Sequence, residues 1–270
     1  SLGVPAKKVP LTISTLSGAT LSERAITQVT DAMRFVPAVQ MKSSFGAFRE
    51  VSVRGFYNTI YIVDGVRDER STINSYPLGD LYNVESIEVL KGPASVLYGY
   101  AATGGVVNIT RRVPEEKFTL GAHVRGGSLG YFDLGAQVGG KIADGLNFYA
   151  GGFLSGGKQW RSTNDKNRSL FATLSYTKGI HSLVLRLEGR NDFYGTDAGL
   201  APVMDDDMYR VSDGKLFLKK GEMLPGLKRH WRYNDASDAM YNRAYNGSLK
   251  YTLSLSPSWK LSDYVSYAYD

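Results

Sequence analysis

The sequence predicts an N-terminal α+β domain followed by antiparallel strands of a transmembrane β-barrel. Three observations predict this. Apolar residues follow a short helical stripe and then brief strand-like runs up to about residue 116, but alternate with period two from residue 117 onward. The connections between the alternating runs are tight at every second position and longer in between, the asymmetry of barrels with trimmed turns at one end. Glycine supplies 30 of the 270 residues and Tyr (18) outnumbers Phe (11), a strand-favouring profile.

The first domain, residues 1–116, opens with an amphipathic helix predicted over residues 20–35. Leu21, Ile26, Val29, Met33 and Phe35 form its stripe, Thr20 or Ser22 its N-cap, and Pro37 its stop. Short strands are expected at residues 50–54, 60–63, 87–91 and 106–110. Turn signals at Asp64-Gly65, Gly92-Pro93 and Gly104-Gly105 separate them.

The second region, residues 117–270, alternates. Phe118, Leu120, Ala122 and Val124 share one face. So do Phe132, Leu134, Ala136 and Val138; Leu183, Leu185 and Leu187; and Tyr245, Leu249, Tyr251, Leu253 and Leu255. This assigns His123, Arg186, Glu188 and Lys250 to a polar lumen face, and Leu185, Leu187, Leu249, Tyr251 and Leu253 to lipid. Residues 146–155 are ambiguous, because Tyr149 and Phe153 oppose Phe148 and Leu154. A short glycine loop is expected at residues 126–130, a medium loop at 158–168 and a very long one at about 193–240, alternating with tight turns at 143–145, 177–181 and 256–258. About seven strands fit. Lipid demands closure, bacterial barrels use even counts, and an eight-stranded lumen holds only side chains, so the sequence is expected to be part of a longer chain.

Composition excludes several chemistries. With 43% hydrophobic and 21% charged residues the chain can bury a core, and the absence of cysteine rules out disulfides and thiolate sites. The three histidines, His123, His181 and His230, lack zinc-ligand spacing, so no metal site is expected. The net charge of +6 does not point to nucleic acid, because the basic residues are interleaved with acids. No apolar run reaches the length of a membrane helix and the first residues lack a signal-peptide pattern, neither of which bears on a barrel.

Four segments carry a specific pattern: residues 51–56 (V-S-V-R-G-F), 61–66 (Y-I-V-D-G-V), 84–99 (V-E-S-I-E-V-L-K-G-P-A-S-V-L-Y-G) and 104–112 (G-G-V-V-N-I-T-R-R). In this order and spacing they resemble the plug of TonB-dependent outer-membrane receptors, most of all the siderophore-receptor branch. The resemblance covers residues 9–114, with Pro37-Ala38-Val39 standing where the family usually has Pro-Gly-Val. It implies a plug followed by the first strands of a 22-stranded barrel, placed in the bacterial outer membrane. It further implies import of a ferric siderophore energised by TonB with ExbB and ExbD. Iron is then carried within the ligand, with no resident cofactor and no catalytic residue. Outer-membrane lipid and lipopolysaccharide are the implied surroundings.

By the same resemblance Arg54 and Lys91 match plug cations that pair with glutamates of the inner barrel wall. The outward plug loops would meet ligand with Phe45, Phe48, Arg49, Tyr57, Asn58, Arg70, Asn74 and Tyr76, aromatic walls and cations that suit a bulky anionic chelate. Importers of cobalamin or a glycan share the architecture and remain an alternative. Haem is disfavoured because no histidine precedes His123. A barrel enzyme would need a nucleophile and base, and neither His123 nor His181 has an evident Ser–acid partner at its depth. The G-x₄-G-K at residues 152–158 lacks the Ser or Thr of a phosphate loop. Asp205 to Asp207 lack calcium-loop spacing, and the basic-aromatic run at residues 228–233 is placed in the long loop, where it meets either ligand or lipid phosphate.

Overall fold

The computed structural model describes residues 12–44, 48–57, 59–68, 81–92, 104–158, 161, 163–197, 199–200, 202–211, 214–228, 230–232, 235 and 237–269. The chain separates into two compact units, Ser1–Pro114 and Glu115–Asp270.

In the first unit the elements run β1 (Thr12–Ser17), α1 (Gly18–Glu23), α2 (Val29–Met33), β2 (Val39–Ser44), β3 (Phe48–Val53), β4 (Thr59–Val63), β5 (Val66–Arg67), β6 (Val84–Lys91) and β7 (Gly105–Arg111). Five strands form a mixed sheet in the order β1-β6-β7-β4-β5, with β4 parallel to β7 and the other pairs antiparallel; β2 and β3 make a separate hairpin. Both faces of the mixed sheet are apolar, which explains why its strands read as continuous runs. One face carries Tyr61, Ile87, Val89, Val107 and Ile109 packed against Leu21, Val29 and Met33 of the helices; the other carries Ile60, Ile62, Leu90 and Val106.

The expected single helix is two. Ser17 is the N-cap, its Oγ accepting from the Thr20 amide at 3.2 Å, so the helix starts before Thr20 and neither Thr20 nor Ser22 caps it. The chain then bends at Ala25, which holds a left-handed φ of 54°, before α2 begins. The predicted stripe is nevertheless the buried face: Leu21, Ile26, Val29 and Met33 all lie in the core, while Phe35 is exposed. Strands β1 and β2 were not foreseen.

In the second unit the strands are β8 (Thr119–Gly126), β9 (Phe132–Ala143), β10 (Leu146–Lys158), β11 (Asn164–Lys178), β12 (His181–Gly195), β13 (Asp207–Val211), β14 (Gly214–Leu218), β15 (Ala239–Ser254) and β16 (Lys260–Tyr269). Seven of them form one antiparallel sheet in the order β16-β15-β12-β11-β10-β9-β8; β13 and β14 make a hairpin inside the long connection. The loop expected over residues 158–168 is shorter, because β11 already starts at Asn164 and the polar residues from there to Arg168 continue its alternation. Register places Leu134, Leu154, Arg168, Asn191 and Arg243 in one transverse row, and Phe148, Leu174, Leu185, Leu249 and Val265 in another on the same outward face.

The other face holds Asp133, Tyr149, Phe153, Asn167, Thr173, Arg186, Asp192 and Ser248, all buried. It contains Arg186, Glu188, Lys250 and His123 as alternation required, with Leu185 and Leu187 opposite. The ambiguous run resolves into one strand, β10, with Tyr149 and Phe153 on the inner face and Leu154 outward. Tyr149 tilts against Phe171 at a centroid distance of 5.5 Å and donates to Gln137 Oε1 at 2.6 Å, so its polar tip is satisfied.

Candidate functional site

Two cations of the first unit meet at one end of its sheet. Lys91 ends β6, paired across β1 with Thr12 and across β7 with Gly105. Gly105 allows this closeness, since a Cβ there would run into the Leu90 carbonyl. Arg54 enters from the turn after β3, where it adopts φ 53° beside Gly55 at φ 84°. Its amide donates to the Ala38 carbonyl at 2.8 Å, and its Nη2 donates to Thr12 Oγ1 at 3.1 Å. That brings the guanidinium over Gly92, next in sequence to Lys91: a Cβ on Gly92 would lie 3.5 Å from Arg54 Nη1.

Lys91 is only 5% exposed. Burial, and then the neighbouring Arg54 guanidinium, lower its pKa from the ordinary lysine value. Among the described residues neither cation is given a carboxylate. Two like charges held together, one of them desolvated, form a locus whose electrostatics call for an anion.

The other charged motif residues are already paired. Asp64, in the turn between β4 and β5, accepts from the Arg111 amide at 2.8 Å and from Arg111 Nε at 2.9 Å, while its own amide donates to the Ile109 carbonyl. The Asp-Gly of residues 61–66 and the Thr-Arg-Arg of 104–112 are therefore one device, a two-point clamp of the β4–β5 turn onto β7. Sequence reasoning missed this pairing, although both residues sat inside quoted segments.

The proposed ligand residues are placed as follows. Phe48 and Arg49 lie at the tip end of the β2–β3 hairpin, opposite Ser44 and Ser43. Tyr57 is half exposed (51%) and follows the turn at the other end of β3. Phe45, Asn58, Arg70, Asn74 and Tyr76 lie outside the described residues.

On the inner face of the second unit, Asp133 is the centre of a charged group, 1% exposed, 3.0 Å from His123 Nε2 and 3.5 Å from Arg125 Nη1, with the Tyr131 hydroxyl donating at 3.4 Å. His123 thus has an acid partner that alternation alone did not reveal, in a cluster where two basic side chains share one carboxylate. A second group joins Arg190 and Asn242 to Asp192. His181 lies outward against Tyr251, with Nδ1 2.6 Å from its hydroxyl. Among the described residues no His/Asp/Glu cluster is placed to hold a metal ion.

Comparison with known proteins identifies the first unit. The profile of the TonB-dependent Receptor Plug Domain matches residues 5–106. Residues 5–106 thus match a TonB-dependent receptor plug domain. The chain is 36% identical over 124 residues to the iron-regulated outer membrane virulence protein of Vibrio cholerae, a stretch covering 42% of this chain and 19% of that protein. It is 33% identical over 133 residues to the ferrioxamine B receptor of Salmonella typhimurium (46% of this chain, 18% of that one), and 30% identical over 145 residues to the vitamin B12 transporter BtuB of Photobacterium profundum (52% and 24%). These matches thus span about a fifth of the relatives' length.

Among solved structures, the ferripyoverdine receptor of Pseudomonas aeruginosa aligns over 97% of this chain and 34% of its own, with a TM-score of 0.84 at 15% identity. The ferric-catecholate import receptor Fiu of E. coli, in its closed form, aligns over 98% and 37%, with a TM-score of 0.81 at 17% identity. The fold is therefore a plug unit followed by antiparallel strands arranged as in these receptor structures.

Proposed function

We propose that the protein imports a ferric siderophore across the bacterial outer membrane, driven by TonB with ExbB and ExbD. The observation that carries this reading is the plug unit itself, a mixed sheet with both faces packed and, at the end of β6, a pair of cations without a carboxylate partner among the described residues, joined to a sheet of long antiparallel strands. A folded insert of this kind suits a gated passage rather than an open pore. Arg54 and Lys91 are its docking cations for carboxylates elsewhere in the receptor, and release of such pairs gives coupling a defined point of action.

Two relatives named for iron regulation and for ferrioxamine B support an iron chelate as cargo. The absence of histidine before His123 disfavours haem. In this reading the eight aromatic, cationic and amide residues Phe45, Phe48, Arg49, Tyr57, Asn58, Arg70, Asn74 and Tyr76 meet the chelate. The protein performs no chemistry on it, and the iron stays within its ligand. Cobalamin is the second reading, supported by the match to the vitamin B12 transporter.

The test is growth of an iron-starved outer-membrane receptor deletion strain expressing the whole receptor, fed with a panel of ferric siderophores, or with cobalamin in a cobalamin auxotroph. Rescue by one chelate, lost when TonB is deleted, is the expected result. Equal uptake without TonB would overturn energy coupling, and rescue by cobalamin alone would replace the cargo.

A further inference from the structure

The edge strand β1 reaches both cations of the first unit through one residue. In the sheet order β1-β6-β7-β4-β5 its neighbour is β6 alone, and its residues are exposed or half-buried throughout. Thr12, the first residue of β1, stands directly opposite Lys91, and residues paired across antiparallel strands share a face. The same Thr12 accepts from Arg54, its Oγ1 lying 3.1 Å from Nη2. Among the described residues no other group accepts from that guanidinium.

The backbone does not explain why the guanidinium stays there. Arg54 and Gly55 are the central residues of a tight turn, closed by reciprocal amide-to-carbonyl bonds of 3.0 Å between Val53 and Phe56, with φ of 53° and 84°. Such a turn prefers Asn or Gly at its first central position, and a larger side chain there is sterically penalised. It carries Arg54 to the end of β6, but several rotatable bonds still lie between the Cα and the charge. Like charge also opposes the placement: the guanidinium helps to lower the Lys91 pKa, and by the same interaction Lys91 pushes the guanidinium away.

A hydroxyl suits this task better than an acid. Thr12 Oγ1 offers the guanidinium a neutral acceptor, so the bond fixes its direction and leaves its charge free. A carboxylate at that position would neutralise the cation that a docking carboxylate has to meet. Because the acceptor belongs to an edge strand, its place depends on the ladder between β1 and β6. A strand with one neighbour and an exposed backbone edge opens more readily than the strands inside a sheet.

We infer that Thr12 is the positioning residue of the cation pair: its hydroxyl holds Arg54 beside Lys91, so the pair stays assembled only while β1 is laddered to β6. Separation of β1 removes the acceptor, the guanidinium swings away from Lys91, and the locus falls from two adjacent cations to one. The consequence for docking rests on the reading of Arg54 and Lys91 given above, whereas the hold of Thr12 on Arg54 does not.

The experiment treats the whole receptor, purified in detergent, with phenylglyoxal, which modifies accessible guanidinium groups, and follows Arg54 by mass spectrometry of its peptide. Thr12→Val keeps a β-branched side chain in the strand and removes the hydroxyl; it should raise the Arg54 rate about fivefold, the factor set by one ordinary hydrogen bond. Thr12→Ser restores the acceptor and should react at the wild-type rate. Arg111, clamped to Asp64 in the same sheet, is the control for general loosening and should stay slow in both. Leu16→Asp, which places a charge where β1 packs on the core and leaves Thr12 unchanged, should free Arg54 as Thr12→Val does. An unchanged Arg54 rate in Thr12→Val overturns the inference, as does an acceleration that Thr12→Ser or Arg111 shares to the same degree. A wild-type rate in Leu16→Asp overturns the dependence on β1. If Arg54→Ala, Lys91→Ala leaves the exchange of β6 and β7 unchanged while Thr12→Val still frees Arg54, docking is refuted and the positioning stands, so the two readings fail separately.

Discussion

Lys91 shows what a single residue discloses and what it conceals. Its place in a plug-like segment marked it as a docking cation, and Arg54 likewise, but sequence gave no sign that the two would share one locus. They are 37 positions apart in the numbering, and what joins them is the β1–β6 register together with a left-handed turn at a non-glycine residue. The consequence is a pH dependence whose sign follows from linkage. A lysine whose folded pKa is lowered binds fewer protons in the folded state than in the unfolded one across the interval between the two values. The penalty is present in full at neutral pH and is relieved as pH climbs from the lowered folded pKa to the ordinary value of about 10.4. Stability of the plug unit, followed by urea unfolding at constant ionic strength with its docking carboxylates absent, should rise over that alkaline interval. Lys91→Met should remove the rise. An identical alkaline profile in the variant would show that Lys91 is not desolvated.

Among elements, what was legible is the choice of face. Alternation assigned Leu185, Leu187 and Leu249 outward and Arg186 and Glu188 inward, because a strand leaves no third option once one residue is fixed. What was not legible is where a run is interrupted. The stripe from Leu21 to Met33 continues across Ala25 because both helices bury against the same core, so periodicity saw one helix where the backbone bends. The inner aromatics Tyr149, Phe153 and Phe171 broke the expected polarity of the lumen face. Tyr149 and Phe171 pack on one another across β10 and β11, a cross-strand effect that a single strand's pattern does not carry. The register makes a prediction. Leu187 is 54% exposed on the outward face, in the middle of the uncharged rows, so Leu187→Arg should cost about 2–4 kcal/mol of stability in lipid vesicles, the price of a cation near the bilayer midplane. Glu188→Gln, one residue along and on the other face, should cost far less. Comparable losses in urea unfolding from vesicles would place both residues on one side of the sheet.

For the whole molecule, the change of period near residue 117 marks a change in how stability is obtained. The first unit is held by two apolar clusters on either side of a mixed sheet, and by the Asp64–Arg111 clamp. The second is held by ladder pairing across seven strands, with its apolar side chains turned outward rather than into a core. Because the two sources of stability are separate, a change at the plug cations should act on one unit and spare the other. An Arg54→Ala, Lys91→Ala variant of the whole receptor tests this. If the cations dock the plug onto carboxylates elsewhere, losing both leaves those carboxylates unpaired at a cost of several kcal/mol, and the plug unit loosens. Hydrogen exchange should then speed up in β6 and β7, whose amides are otherwise protected by pairing with each other and with β1 and β4. Exchange in β10, β11 and β12 should stay slow, and the receptor should keep its heat-resistant migration in detergent. Unchanged exchange in β6 and β7 would mean that Arg54 and Lys91 hold nothing in place, and that the locus is a local feature of the end of β6. Acceleration in both units together would mean that their stabilities are coupled through contacts other than these two cations.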